Sequence, residues 1–259
     1  MGSTYPSLER SGASVIANRL RSISGGRVLY VATGSGDFVR VLLKTLKDYD
    51  SFVGIDSSTE EIETAEKGLI EDAEFTVMNA ESLEFGDAFF DTVCVANSLH
   101  HFEDVDRTLS EMKRVLKPGG HFIVQEMFCD GEQTEAQRSE ILSHNLEADI
   151  DSTLGVPHNR TFTRKRLREI VSELSLRNLE VFESSRPVKC LFCDEWAICE
   201  DPKHEDIVKF ELDKVEKNLE RLRDHEDFPK FREEAEEIKE RIRNWGSDTA
   251  SMLFFIGKK

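Results

Sequence analysis

The run Val28–Phe38, VLYVATGSGDF, constrains this chain more than any other stretch. Val28, Leu29, Tyr30 and Val31 are apolar and strand-forming. Ala32-Thr33-Gly34-Ser35-Gly36 is a turn of small residues, and Val39, Val41, Leu42, Leu43 and Leu46 then recur at helical spacing. Strand, glycine turn and helix open a βαβ unit. Such a turn lets backbone approach a ligand closely and aims the unpaired N–H groups of a helix start toward it. A GxG of this kind occurs in binding and non-binding α/β proteins alike, so its meaning depends on the residues downstream.

Those residues keep the alternation. Ser51–Asp56 reads as a second strand ending in an acid, 20 residues beyond Gly36. An acid at that spacing and strand tip accepts hydrogen bonds from ribose hydroxyls, although Ser57-Ser58-Thr59-Glu60-Glu61 also offers it a helix-capping role. A helix over 59–69 leads to a third strand, 74–78, and then Asn79 and Ala80, which suit either an adenine edge or an ordinary loop. Residues 89–96 are nearly all apolar, as a strand buried on both faces would be. Asn97-Ser98-Leu99-His100-His101-Phe102 comes next, then a helix over 104–116, a stop at Lys117-Pro118-Gly119-Gly120, and a fifth strand over 121–127. Five strands alternating with helices predict a doubly wound, mostly parallel, Rossmann-like α/β sheet with ligands at the carboxyl ends of its strands.

Outside that core the texture changes. Residues 7–23 predict an amphipathic helix on the sheet edge, with Tyr5 a gate over a ligand on the sharper reading. From 128 to 163 the pattern loosens into a lid or substrate segment: helix over 135–147, then Asp149, Asp151, His158 and Arg160. A helix over 164–174 and a sixth strand over 179–183, extendable through 188–192, come next. Residues 201–246 carry two narrow apolar seams, Val208, Leu212, Val215, Leu219, Leu222 and then Phe231, Ala235, Ile238, Ile242, Trp245, joined at Pro229. That is an antiparallel helical hairpin, inserted before a seventh strand at 250–257. The expected division is a core of 1–200 and 247–259 with 201–246 inserted.

The net charge of −17 over 259 residues argues against binding nucleic acid or an anionic membrane surface. No apolar run is long enough to span a bilayer, and no leader segment is recognisable, which predicts a cytoplasmic protein. Five cysteines, an odd number, predict reduced thiols. Cys190, Cys193, Cys199 and His204 have zinc-ligand types without a standard spacing, so buried thiols are the expectation and no metal is assigned.

The order of VATGSGDF, GID, DTVCVANSLHHF and LKPGGHFIV resembles the class I S-adenosylmethionine-dependent methyltransferases, most of all the ubiquinone and menaquinone biosynthesis group. The likeness runs well over about 26–127 and loosely to 183. It implies a seventh, antiparallel strand, S-adenosyl-L-methionine as cofactor and a small-molecule methyl acceptor. It implies that the loop Thr33, Gly34, Ser35 and Gly36 passes the methionine end, and that Asp56 and Ser57 hold the ribose. Asn79 and Ala80 would face the adenine, and Asn97 would border the methionine or the acceptor. Two positions depart from the family: Tyr30 stands where it carries an acid, and Ala32 where it carries glycine. Asp37 or Glu126 could supply the missing acid.

Methyl transfer is an in-line displacement that needs alignment, exclusion of water and, for a protonated nucleophile, a base. His100 and His101 are the base candidates. Tyr5, Glu126, His144, His158 and Arg160 are candidates for contact with the acceptor; His144 and His158 with Asp149 and Asp151 could also form a metal or substrate pocket. The other reading is a non-catalytic protein of the same fold that uses its hairpin for partner binding or dimerisation. A homodimer through the hairpin is compatible with either.

Overall fold

A computed structural model describes residues 11–68, 73–192 and 196–259 of the chain. The strands are β1 (Arg27–Val31), β2 (Ser51–Asp56), β3 (Glu74–Val77), β4 (Phe90–Ala96), β5 (Leu116–Met127), β6 (Arg177–Ser184) and β7 (Met252–Lys258). Among the described residues the helices are α1 (Ala13–Leu20), α2 (Asp37–Thr45), α3 (Thr59–Lys67), α4 (Val105–Val115), α5 (Glu135–Thr153), α6 (Arg164–Glu173), α7 (Trp196–Cys199), α8 (Glu205–Glu220) and α9 (Phe228–Trp245). The strands form one sheet in the order β3-β2-β1-β4-β5-β7-β6. The first five pair in parallel, and β7 runs antiparallel between β5 and β6. The chain order reverses between β1 and β4, and there the strand ends open a crevice.

Side-chain alternation builds the two helical layers. Val28, Tyr30, Cys94, Ala96, Phe254 and Ile256 point to one face and pack with Ile16 and Leu20 of α1 and Val39 and Leu42 of α2. Their neighbours Leu29, Val31, Val93, Val95, Leu253 and Phe255 point to the other and pack with Leu109 and Met112 of α4 and Leu167 and Ile170 of α6. Local chemistry sets the helix starts: Ser58 and Asp104 each accept a first-turn N–H, and Thr134 and Gln137 form a capping box at α5.

Several expectations need correction. Lys117-Pro118-Gly119-Gly120 does not separate helix from strand. β5 begins at Leu116, which pairs with Phe90, and the register shifts before Thr92 meets His121. Gly119, at φ 82, takes up that irregularity. Helix α5 does not loosen at 147 but runs to Thr153, because Asp149 is paired with Arg160, and Asp151 with His158 and Arg221. Residues 188–192 form a 3-10 turn rather than extending β6.

The helical pair α8–α9 lies between β6 and β7 in the chain. Its seams are turned inward: Val215, Leu219 and Leu222 meet Phe231, Ala235, Ile238 and Ile242, and both meet Leu146 and Ile150 of α5. Trp245, expected in the seam, is exposed. No described helix is long and apolar enough to cross a membrane.

Candidate active site

The β1–α2 loop is held by the acid at the end of β2. Asp56 Oδ2 accepts the Gly34 N–H at 2.9 Å, and Oδ1 accepts the Ser58 N–H at 2.9 Å. The Thr33 N–H donates to the Ile55 carbonyl at 2.8 Å, completing the tie between loop and strand. Ala32, Gly34 and Gly36 all have positive φ, at 54°, 49° and 86°. These left-handed residues fold the loop tightly enough to bring the Gly34 N–H to Asp56.

Above this loop lies a cavity of about 740 Å³, within the range of small-molecule sites. Gly34, Ser35, Asp56, Ser57, Asn79, Ala80, Asn97 and His101 line it. A smaller cavity of about 280 Å³ adjoins it, sharing Ala32, Gly34, Ser35, Asn97 and Ser98, and continues to Thr33, Tyr30, Asp37 and Lys189. Two polar atoms here are buried without a hydrogen-bond partner: Thr33 Oγ1 and Asn97 Oδ1. Asn97 is itself left-handed, at φ 50°, which an asparagine tolerates well.

Tyr30 brings no charge to the smaller cavity. Burial, and next the neighbouring Cys94 and acids, push its phenol well above its ordinary range. Asp37 lines that cavity with its carboxylate between Arg40 and Lys189, each at 3.2 Å. Glu126 is sealed in the protein instead: its oxygens accept the N–H groups of Leu99 at 2.8 Å and Met127 at 2.9 Å and meet His100 Nδ1 at 3.0 Å. It therefore positions the His100 turn and faces neither cavity. Gly36 starts α2 and is buried behind the lining. Arg160 is exposed, paired with Asp149, and lies off both cavities. Tyr5 and Cys193 lie outside the described residues.

The four candidate histidines converge. His100 and His101 sit on the 3-10 turn after β4, His144 on α5, and His158 in the loop beyond α5. Asn159 locks that loop onto the turn: its backbone N–H donates to the His100 carbonyl at 2.6 Å, and its side chain to the His100 and Phe102 carbonyls. His158 Nδ1 meets Asp151 Oδ2 at 2.6 Å, and Asp151 is paired in turn with Arg221 of the segment following α8. Loss of hydration, and next the facing imidazoles, lower His144 to about 2 and His101 to about 3. Both rings are neutral near pH 7. His101 alone of the four lines the larger cavity, where it is exposed. Val156 and Pro157 complete that wall. These two, with Ala32, Met78 and Ser98, carried no chemical signal in the sequence, being small or apolar residues that act by position.

Residues 29–124 match the family described as Methyltransferase domain. Demethylmenaquinone methyltransferase of Thermotoga maritima is 38% identical over 112 residues, 43% of this chain and 48% of that protein. The Bacteroides fragilis protein of the same name is 34% identical over 125 residues, 46% of this chain and 51% of its own. The chain thus spans about half the length of these curated relatives. Among solved structures, the cyclase SpnF superposes with a TM-score of 0.55 at 19% identity, covering 95% of this chain and 79% of that one. Phosphoethanolamine N-methyltransferase 2 of Haemonchus contortus, in complex with S-adenosyl-L-methionine, gives 0.53 at 18%, covering 95% and 52%. At such identities the likeness is one of fold. Over residues 29–124 the chain matches a methyltransferase domain, and there it is similar to the demethylmenaquinone methyltransferases, with a sheet order and an Asp56-held loop that fit that likeness.

Proposed function

We propose that the chain transfers a methyl group from S-adenosylmethionine to a hydroxylated, quinol-type small molecule. The observation that carries the reading is the tie between Asp56 and Gly34, which puts an acid and a left-handed glycine loop on one cavity wall. The residues present fit the cofactor. Asp56 uses one lone pair of each oxygen on backbone and keeps others for ribose hydroxyls. Asn79 Oδ1 accepts the Glu81 N–H at 2.8 Å, which leaves its amide NH2 available as a donor to an adenine. Thr33 Oγ1 and Asn97 Oδ1, buried and unpartnered, are acceptors suited to the ammonium of the methionine end.

When bound, S-adenosylmethionine supplies a methyl carbon already activated by its sulfonium. This chain's own work is then alignment and drying. Phe102, Val156 and Pro157 form an apolar wall against which a bound acceptor would displace water. His101 lines that wall and is placed to accept a hydroxyl proton from the acceptor. The quinol class is supported by the names of the relatives; the fold alone would not supply it, because folds host many chemistries.

Calorimetric titration with S-adenosylhomocysteine tests the reading. Wild type should bind, and Asp56→Ala should weaken binding by about 10- to 100-fold, the worth of hydrogen bonds to a charged group. No heat at high micromolar ligand with folded wild type would overturn it.

A further inference from the structure

The histidine cluster is built more elaborately than one proton acceptor needs. All six pairs among the rings of His100, His101, His144 and His158 have centroids 4.2 to 6.3 Å apart. His100, His101 and His158 each place a ring nitrogen within 4.8 Å of the other two. His144 Nε2 stands 3.3 Å from His158 Nε2. Two nitrogens bound at about 2.1 Å to one tetrahedral ion are about 3.4 Å apart.

The surroundings have the form of a metal site's outer shell. Glu126 holds Nδ1 of His100 and Asp151 holds Nδ1 of His158, so in both rings the Nε2 lone pair is left toward the cluster. A carboxylate behind an imidazole is the usual arrangement around a histidine-bound metal, fixing tautomer and orientation. Each carboxylate is secured in its turn, Glu126 by two backbone N–H groups and Asp151 by Arg221. We propose that His100, His101 and His158 bind one divalent ion of the zinc class, with His144 packed beside them against His158. Imidazole donors suit zinc and the later first-row metals rather than magnesium or calcium.

The ion would join two separate pieces of chain, the turn after β4 and the loop around His158, with His144 of α5 packed beside them. Val156 and Pro157 sit in that loop on the wall of the larger cavity, so occupancy fixes the wall. In a methyltransferase, the ion also engages His101 and changes how an acceptor hydroxyl is held. The binding itself does not depend on that activity. The sequence left a metal or substrate pocket open at His144 and His158 with Asp149 and Asp151; the ligand set proposed here is His100, His101 and His158.

The test uses full-length protein stripped with a chelator and titrated with Zn²⁺ or Co²⁺ in excess Mg²⁺, which occupies nonspecific acidic sites. One equivalent of Zn²⁺ should bind and raise the melting temperature, and Co²⁺ should develop the visible bands of nitrogen ligation. Asp151→Asn should weaken binding about 10- to 100-fold. His101→Ala, at the exposed edge of the cluster, should remain folded and lose the cobalt bands. Absence of stoichiometric binding by folded wild type, or unchanged affinity in folded His101→Ala and His158→Ala, would overturn the proposal. S-adenosylhomocysteine titrated into the same metal-free sample separates the two ideas: binding there without any zinc binding sinks the ion alone, and zinc binding without it sinks the methyltransferase reading alone.

Discussion

Ala32 illustrates how much of this site is backbone. An alanine at φ 54° carries the steric cost of a left-handed residue, roughly 1–2 kcal/mol. Glycine would remove that cost and lose about 0.5–1 kcal/mol through the greater freedom of the unfolded chain. Ala32→Gly should therefore stabilise the protein by about 0.5 kcal/mol, measured as a shift in urea midpoint at constant slope. The other departure, Tyr30, works differently. It is packed against Phe38 with ring centroids 5.8 Å apart and stays a neutral phenol, so the charge missing from β1 is not restored by it. The acid nearest the smaller cavity is Asp37, whose charge is shared with Arg40 and Lys189.

At the scale of elements, α5 ties the sheet's substrate side to the helical pair. Leu146 is fully buried between α5, α8 and α9. Leu146→Ala should cost about 3 kcal/mol in chemical denaturation, the usual loss for an emptied core leucine. The same bundle holds a pH-dependent strain. Glu211 on α8 is raised to about 7, first by burial and then by Glu140, with Glu147 adding to it and Lys214 opposing. The folded state keeps that proton up to about pH 7, whereas the unfolded chain releases it near 4.5. Stability contributed by Glu211 is thus present below pH 4.5 and lost as pH rises through 7. Relative to Glu211→Gln, wild type should lose about 3 kcal/mol between about pH 4.5 and 8, read from urea melts of both proteins.

The elements differ in how plainly the residues announce them. Doubly buried strands such as Phe90–Ala96 read directly as apolar runs, and Asp56 was marked by its spacing and strand. The start of β5 was not, because Pro118, Gly119 and Gly120 look like a terminator and only the partner Phe90 shows that Leu116 is in the sheet. The length of α5 depends on Arg160, His158 and Arg221 neutralising its last turns. The four histidines come from three elements whose meeting rests on the phase of α5 and the clamp by Asn159. No local pattern encodes either.

For the whole molecule, the place of β7 has a consequence for the order of assembly. β6 pairs in the sheet with β7 and not with β5, and β5 has β7 as its outer neighbour. The strand that fills the gap lies beyond the helical pair, at Met252–Lys258. Until it is made, an emerging chain carries Phe122 and Val124 of β5 on an open sheet edge, and β6 has no sheet to join. Removing residues 251–259 should therefore cost two strands rather than one. Hydrogen exchange would show amides of Arg177–Ser184 exchanging freely while β1 and β4 keep their protection; protection of β6 in the shortened chain would refute this. Such an edge is a template for pairing between chains. During the interval between synthesis of β5 and of β7, set by the ribosome's pace through α8 and α9, that edge stands open to pairing between chains.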